Sequence, residues 1–411
     1  MSLHDVLIIG AGPAGLFAAI RAAEAQRSVL VLEKQPEPGR KLLLTGSGQC
    51  NFTHAGPIRD FLSAYGEHDR FLKPALFHFS NRSAVDFFEG RGVKTMTVEE
   101  TGKIFPASRR AADILQALLS ACREGGVEIR CRQSVAGLTL DAPREFRVRT
   151  ASDDFFARSV ILAVGGQSYP ATGSTGDGYR LAASLGHTVV PPRPGLTPFF
   201  IQDFPLASLT GISFKNLAVT LWRGEKKIKT LVGDLLITHH GVSGPVVHNL
   251  ARYAELGDTA TLAFAAGEDL ESFRKTGMPD ADPNGNLRTW LKQFGLPQSL
   301  QLKILRLAQI PSEIPAAQLS RDKRLALVRL LGAFPLKISS LGDFKVAMVT
   351  CGGVALDEIN PKTMESRMVP GLYFAGEVMD IDGDSGGYDL QAAWSTGSLA
   401  GVSAGGKTPP G

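Results

Sequence analysis

An α/β fold interrupted by an antiparallel β insert, which carries a small helical subdomain, is what three observations in the 411-residue sequence predict. An apolar run, Val6-Leu7-Ile8-Ile9, leads directly into Gly10-Ala11-Gly12-Pro13-Ala14-Gly15, a G-x-G-x-x-G turn between a strand and a helix. After Pro191 the rhythm changes to short β-favouring runs separated by turns. Apolar and glycine-rich segments typical of the first domain then return near the C-terminus, so that domain is split in sequence. The predicted division is 1–190 with 345–411 for a Rossmann-like domain, 191–266 with 334–344 for a barrel-like β-rich insert, and 267–333 for the helical subdomain.

In the opening unit Gly10 closes the turn, Gly12 lets the backbone approach a pyrophosphate, and Gly15 lets the helix pack on the first strand. The helix expected from Ala14 to Ala25 then points its positive end at the phosphates. Ser28–Leu32 reads as a second strand, and Glu33 at its end is placed to accept hydrogen bonds from a ribose diol. An acid here, where a 2′-phosphate reader would be basic, points to FAD or NAD rather than NADP. Lys34 follows on the same expected contact surface, and Arg40 and Lys41 are available to phosphates. Gly46-Ser47-Gly48, leading to Cys50 and Asn51, suits a loop that approaches a flat or charged ligand; an exposed connector is the alternative.

Residues 58–100 read as an irregular helical excursion whose aromatics belong to the core, and Ala111–Glu124 as an amphipathic helix. Val127–Cys131 reads as a strand of the parallel sheet, with Val135 just beyond it at the ligand-facing edge, in a position to pack on an adenine. Phe146–Thr150 and Phe155-Phe156 suggest a hairpin over the sheet. A buried strand from Ser159 follows, ending in Gly165-Gly166, where Ala163, Gly165 and Gly166 let the backbone pass close beside a dinucleotide. Ser168–Gly178 is loop chemistry before a helix at Tyr179–Leu185, either a second cofactor contact or a plain turn.

In the insert, Pro191–Pro194 reads as a linker. Strands are expected at Thr197–Ile201, Leu217–Trp222, Ile228–Val232, Asp234–Thr238 and Thr259–Ala265, and helices near Leu270–Lys275, Asn286–Phe294, Leu300–Ala308 and Arg321–Leu331. Leu336–Ser340 and Lys345–Thr350 return as strands. The pair His239-His240 before Gly241 reads either as substrate-facing or as a tight turn with His239 half buried. Adjacent histidines on a strand point oppositely, so they do not make a metal pair. The four cysteines show no C-x-x-C spacing, so neither a metal centre nor a disulfide framework is expected, and the expected compartment is reducing cytoplasm. With a net charge of +4 and scattered basic doublets, no nucleic-acid groove is indicated; no stretch reaches the length of a membrane span, and the first strand begins too early for a signal peptide.

The C-terminal segment decides the cofactor. Gly371–Glu377 is a buried strand ending in Gly376-Glu377, an arrangement that can hold a ribityl chain. Beyond it, Gly386-Gly387-Tyr388-Asp389-Leu390 enters a helix whose first N–H groups can meet the electron-rich edge of a flavin. NAD enzymes have no need of this second half-site, so FAD is the expected cofactor.

Taken together, these motifs resemble the BaiN-like (YhiN-type) bacterial flavoproteins, to which an aminoacetone oxidase also belongs. The resemblance rests on Ile8–Leu16, Gly39–Asn51, Gly165-Gly166 with Ser168-Tyr169-Pro170, Thr238-His239 through Pro245, and Val349–Val354. The most specific stretch is Ile359–Ser366 continuing through Gly371–Glu377 to Tyr388. It implies a split FAD domain with a barrel-like insert, and cofactor contacts at Ala14, Glu33, Arg40, Lys41, Gly46, Val135, Glu377 and Leu390. Three positions depart from the family pattern: Gln49 where Arg is usual, His240 where an aromatic is usual, and Asp389-Leu390 in place of Asn-Phe.

The implied activity is FAD-dependent oxidoreduction of a small molecule at the interface of the two domains. With no second G-x-G-x-x-G in the insert, NAD(P)H is expected only as a transient donor, with direct substrate oxidation by O2 as the other route. The alternative class is a non-catalytic flavin-binding sensor or scaffold touching nucleic acid. Candidate catalytic residues are Cys50 as a redox thiol or a structural one, His239 as acid or base, and Tyr388 as donor or packing residue.

Overall fold

The computed structural model describes residues 3–143, 145–277, 287–315 and 318–406. The chain divides into two compact units, Met1–Gly195 with Phe344–Gly411, and Leu196–Asp343. Each unit has its own apolar core.

The first unit is built on a seven-stranded sheet. Leu3–Ile9 lies at its centre, parallel to Val29–Leu32 on one side and to Asp154–Leu162 on the other, with Glu128–Arg130 at the edge beside Val29–Leu32. The central strand is fully apolar at Val6-Leu7-Ile8 because helices cover both faces of such a sheet. Asp154–Leu162 has two kinds of neighbour. Its first half pairs antiparallel with Glu145–Thr150, which pairs in turn with Val135–Ala142, while its second half runs parallel to Leu372–Phe374.

This corrects two expectations. The arm at Phe155-Phe156 and the buried run from Ser159 form one nine-residue strand, Asp154–Leu162, and Val135, which does lie beyond the edge strand Glu128–Arg130, opens a further strand that was not expected. Burial changes along the long strand from alternating to continuous where the neighbour changes, so its sequence pattern reads as two pieces.

Residues 58–100 contain the expected helices, Asp69–His78 and Asn81–Glu89. They also contain Thr95–Val98, a strand not expected from the pattern, which joins Lys103–Pro106 and Thr53–His54 in a small antiparallel sheet. Pro191–Pro194 is not a linker: it lies within the strand Val189–Gly195, antiparallel to Val349–Val354. Prolines cannot donate to a ladder, and the register shift between Val190 and Arg193 accommodates them. Val349–Val354 likewise replaces the strand expected at Lys345–Thr350.

The last helix, Tyr388–Ala404, packs on the first, Pro13–Ala23, through glycines. A Cβ on Gly397 would sit 2.4 Å from the Ala14 carbonyl oxygen, and one on Gly401 would sit 2.3 Å from that of Ala18. Trp394 is fully buried beside Phe17 and donates its indole N–H to the Phe52 carbonyl at 2.9 Å. Chain ends are thereby tied to the nucleotide turn.

The second unit is a closed antiparallel barrel in the order Phe199–Ile201, Gly241–Ser243, Lys226–Ile237, Ser213–Arg223, Thr259–Ala263, Phe334–Leu341. Pairing of Phe199–Ile201 with Phe334–Leu341 closes it. The two runs expected at Ile228–Val232 and Asp234–Thr238 form one twelve-residue strand. Helices Glu268–Thr276, Leu287–Lys292, Gln298–Leu307 and Arg321–Gly332 correspond to the four expected; Asn286, where the second was to begin, lies outside the described residues. Among the described residues no helix is long and apolar enough to cross a membrane, and no group of three or more His, Cys, Asp or Glu is arranged to hold a metal ion.

Half-buried His248 in this unit escaped the sequence reading. Its Nε2 lies 3.0 Å from the Ser243 hydroxyl, and burial pushes the imidazole pKa down to about 4. An unfolded histidine takes up a proton near pH 6.5, so between about 6.5 and 4 the unfolded chain binds a proton that the folded unit refuses. Stability is therefore complete above that window and falls by up to about 3 kcal/mol as the pH drops through it. His248→Gln is expected to flatten the acid limb of a urea-denaturation series, whereas an unchanged limb would assign the loss to other groups.

Candidate cofactor and active site

The nucleotide turn separates packing from openness residue by residue. A Cβ on Gly10 would lie 2.5 Å from the Ala163 carbonyl oxygen, and one on Gly15 only 1.9 Å from that of Gly10. A Cβ on Gly12 would meet nothing within 4 Å. Gly10 and Gly15 thus close the turn on the sheet, and Gly12 leaves a cradle above it. The helix that starts at Pro13 has no side-chain cap and no acid in its first turn, so its first N–H groups are free for an anion. Glu33 is held in place beside them, accepting from the Ala11 N–H and the Gln35 N–H, each at 2.8 Å. This cradle, dipole and oriented acid fit an adenosine diphosphate moiety such as that of FAD.

Three segments converge on Glu377, which follows the short strand Leu372–Phe374. One carboxylate oxygen accepts from the Thr350 N–H at 2.6 Å and the Ser168 hydroxyl at 2.9 Å; the other takes Lys41 Nζ at 2.7 Å. Lys41 also donates to Ser168 at 2.6 Å, while Thr350 Oγ1 accepts from the Gln167 and Ser168 N–H groups. Gly166 is required here, because a Cβ would lie 2.3 Å from Thr350 Oγ1. Sequence reading names Lys41 and Glu377 individually and Ser168 and Thr350 only within longer motifs, because the roles of the latter two depend on partners far away in sequence.

Other expected contacts have these positions. Lys34 is paired with Asp177 at 2.5 Å, and exposed Arg40 donates to the Gln35 side chain at 2.7 Å. Gly46 and Ser47 are exposed with φ of 57° and 55°, a left-handed pair that breaks the local helix and leaves the loop open. Asn51 bonds the carbonyls of Thr53 and Ile104 and so anchors that loop. Gly165 is half-buried with φ of 72°, and Val135 is buried at the start of its strand. The Gly376 N–H donates to Thr396, and a Cβ on Gly376 would lie 2.9 Å from that of Ala14. Gly387, with φ of 96°, lies against the Thr53 backbone, and the Asp389 carboxylate accepts from the Gly383 N–H at 2.8 Å. Leu390 packs half-buried on the core.

Of the catalytic candidates, Cys50 is fully buried and burial pushes its thiol pKa up to about 12, so it is protonated at neutral pH. A thiol so placed lacks the exposed thiolate character of a reactive cysteine. Tyr388 stacks on His54 with ring centroids 5.1 Å apart and meets the edges of Phe61 and Tyr65; burial raises its phenol pKa. His239 is exposed in a turn, not half-buried. Between the Glu377 and Tyr388 segments, burial pushes the Asp380 carboxyl pKa up, Asp382 and Glu67 add to the shift, and His68 opposes it.

The model for a family described as the HI0933-like protein Rossmann domain matches residues 4–403. A ribosomal RNA dihydrouridine synthase of Escherichia coli is 33% identical over 401 residues, covering 96% of each chain. A 3-dehydro-bile acid delta(4,6)-reductase of Clostridium scindens is 33% identical over 412 residues, covering 98% of this chain and 99% of that one. Among solved structures, a 3-ketosteroid delta1-dehydrogenase from Sterolibacterium denitrificans shares the fold, with a TM-score of 0.54 at 13% identity over 98% of this chain and 100% of that chain.

Proposed function

Since the chain belongs to the HI0933-like family and is an FAD-dependent oxidoreductase, we propose that it reduces a carbon–carbon double bond activated by a carbonyl group in a small molecule, with a reduced nicotinamide as donor. One observation carries this reading: relatives aligned over almost the whole chain at 33% identity are named a dihydrouridine synthase and a delta(4,6)-reductase, names that both denote saturation of a double bond. These relatives are named as enzymes, which leaves the sensor or scaffold alternative without support.

When bound, FAD supplies the two-electron chemistry that links donor to substrate. The chain's own residues hold and orient it in this reading. The first turn of Pro13–Ala23 takes the pyrophosphate above Gly12, and Glu33 takes a ribose. Lys41, Ser168 and Thr350 fix Glu377 for the ribityl side, and the N-terminus of Tyr388–Ala404 offers N–H groups to the electron-rich edge of the ring system.

The test is anaerobic. Mixing the yellow protein with NADPH or NADH is expected to bleach the visible band, and cyclohexenone added without oxygen is expected to restore it. Bleaching that only air reverses would overturn the reductase reading in favour of an oxidase. Recovery with a uridine-containing RNA but not with the enone would replace the small molecule by a nucleic-acid substrate.

A further inference from the structure

Arg109 is a half-buried cation that meets no carboxylate among the described residues. Its guanidinium lies 4.3 Å from the centroid of the Phe105 ring, its Nε is 3.2 Å from Met96 Sδ, and its Nη1 donates to the Gln49 side-chain oxygen at 2.9 Å. All three partners are neutral. The backbone is held at φ of 56°, a left-handed conformation that is costly for arginine and persists only where the surroundings impose it.

The same Phe105 ring abuts the glycine loop: a Cβ on Gly46 would lie 3.6 Å from its edge, and Gln49 ends that loop. Loop and guanidinium therefore share one wall. A partly desolvated guanidinium with only neutral partners is costly to maintain and strongly favours an incoming anion. Its planar fork matches a carboxylate in two-point contact.

We propose that Arg109 is the residue that recognises the substrate, and that it does so by binding a carboxylate carried by the unsaturated small molecule. This rests on the proposed reductase function and on the cofactor contact at Gly46 that the family resemblance implies. A single oriented guanidinium suits one small anion, whereas binding an RNA backbone calls for a spread of basic side chains along the strand.

Calorimetric titration of the FAD-loaded protein with cinnamate and with its neutral amide tests the proposal without turnover. Cinnamate is expected to bind the native protein at least tenfold more tightly than it binds Arg109→Gln, with the amide binding both alike and Arg109→Lys recovering part of the loss. Equal binding of cinnamate to native and variant protein, or no binding of cinnamate to the native protein, would overturn it. So would a uridine-rich RNA oligonucleotide that binds the native protein and not the variant while cinnamate binds neither, because the cation would then read phosphate. Bleaching of the native protein by NADPH is followed separately, so failure of the reductase reading appears there and not in the titration.

Discussion

A Gly12→Val variant is expected to purify folded and colourless. Gly12 has φ of −81°, which any residue adopts, and a Cβ there meets no protein atom within 4 Å. Loss of fold stability should therefore stay within about 0.5 kcal/mol, as for an ordinary surface substitution. The branched side chain instead fills the cradle above the helix N-terminus, where the pyrophosphate must approach the backbone. FAD affinity is expected to fall by at least about two orders of magnitude, since the first-turn N–H groups can no longer be reached. Gly15→Ala provides the contrast. Its Cβ would lie 1.9 Å from the Gly10 carbonyl oxygen, so turn and helix must part, at a cost of about 3 kcal/mol or more. Circular dichroism with the visible spectrum separates the two outcomes. A Gly12→Val protein that stays yellow would move the pyrophosphate away from this turn.

Glu377→Ala is expected to have the second large effect. It removes the acceptor of three donors at once, leaving Lys41 Nζ, the Ser168 hydroxyl and the Thr350 N–H to find others. The Lys41 and Glu377 side chains are only 23% and 21% exposed, so water compensates incompletely. The loss should be about 2–4 kcal/mol, between the values for a surface ion pair and a fully buried one. In a unit of this size each kcal/mol lowers the melting temperature by about 2–4 °C. Thermal melts with and without added FAD are the measurement. The gap between wild type and variant should widen when FAD is present, because the variant also binds the cofactor less well. A melting temperature unchanged in both conditions would show that the network contributes nothing to the fold or to the cofactor.

The parts of the fold legible in the sequence were those whose signal is local. The first strand, turn and helix declare themselves through an apolar run meeting glycines at fixed spacing, and the barrel through short alternating strands. Long-range relations left no such mark. Lys41 and Glu377 each read as a ligand contact, while their mutual salt bridge spans 336 residues and is invisible to any window. Arg109 with Arg110 is one of the scattered basic doublets of the sequence, and only the folding of Phe105 and Gln49 around it makes it a half-buried cation. Composition also misled where context overrode it. The prolines of Pro191–Pro194 suggested a linker, yet pairing with Val349–Val354 holds them in a strand. His239 drew attention because it stood in a pair, yet it is exposed, whereas isolated His248 is half-buried and its imidazole pKa is pushed down by burial.

The glycine contacts between Tyr388–Ala404 and Pro13–Ala23 impose an order of events on biosynthesis. The Gly10–Gly15 turn is made long before Tyr388–Ala404, the helix that backs it. At bacterial elongation speeds, translating the Leu196–Asp343 unit alone takes roughly 7–30 s, during which the first helix has no partner for its small-residue face. The second unit, contiguous in sequence and with its own core, can complete itself in that interval. Cofactor loading therefore waits for Tyr388–Ala404, and nascent chains stalled before Tyr388 should emerge with a finished barrel and an unfinished nucleotide site.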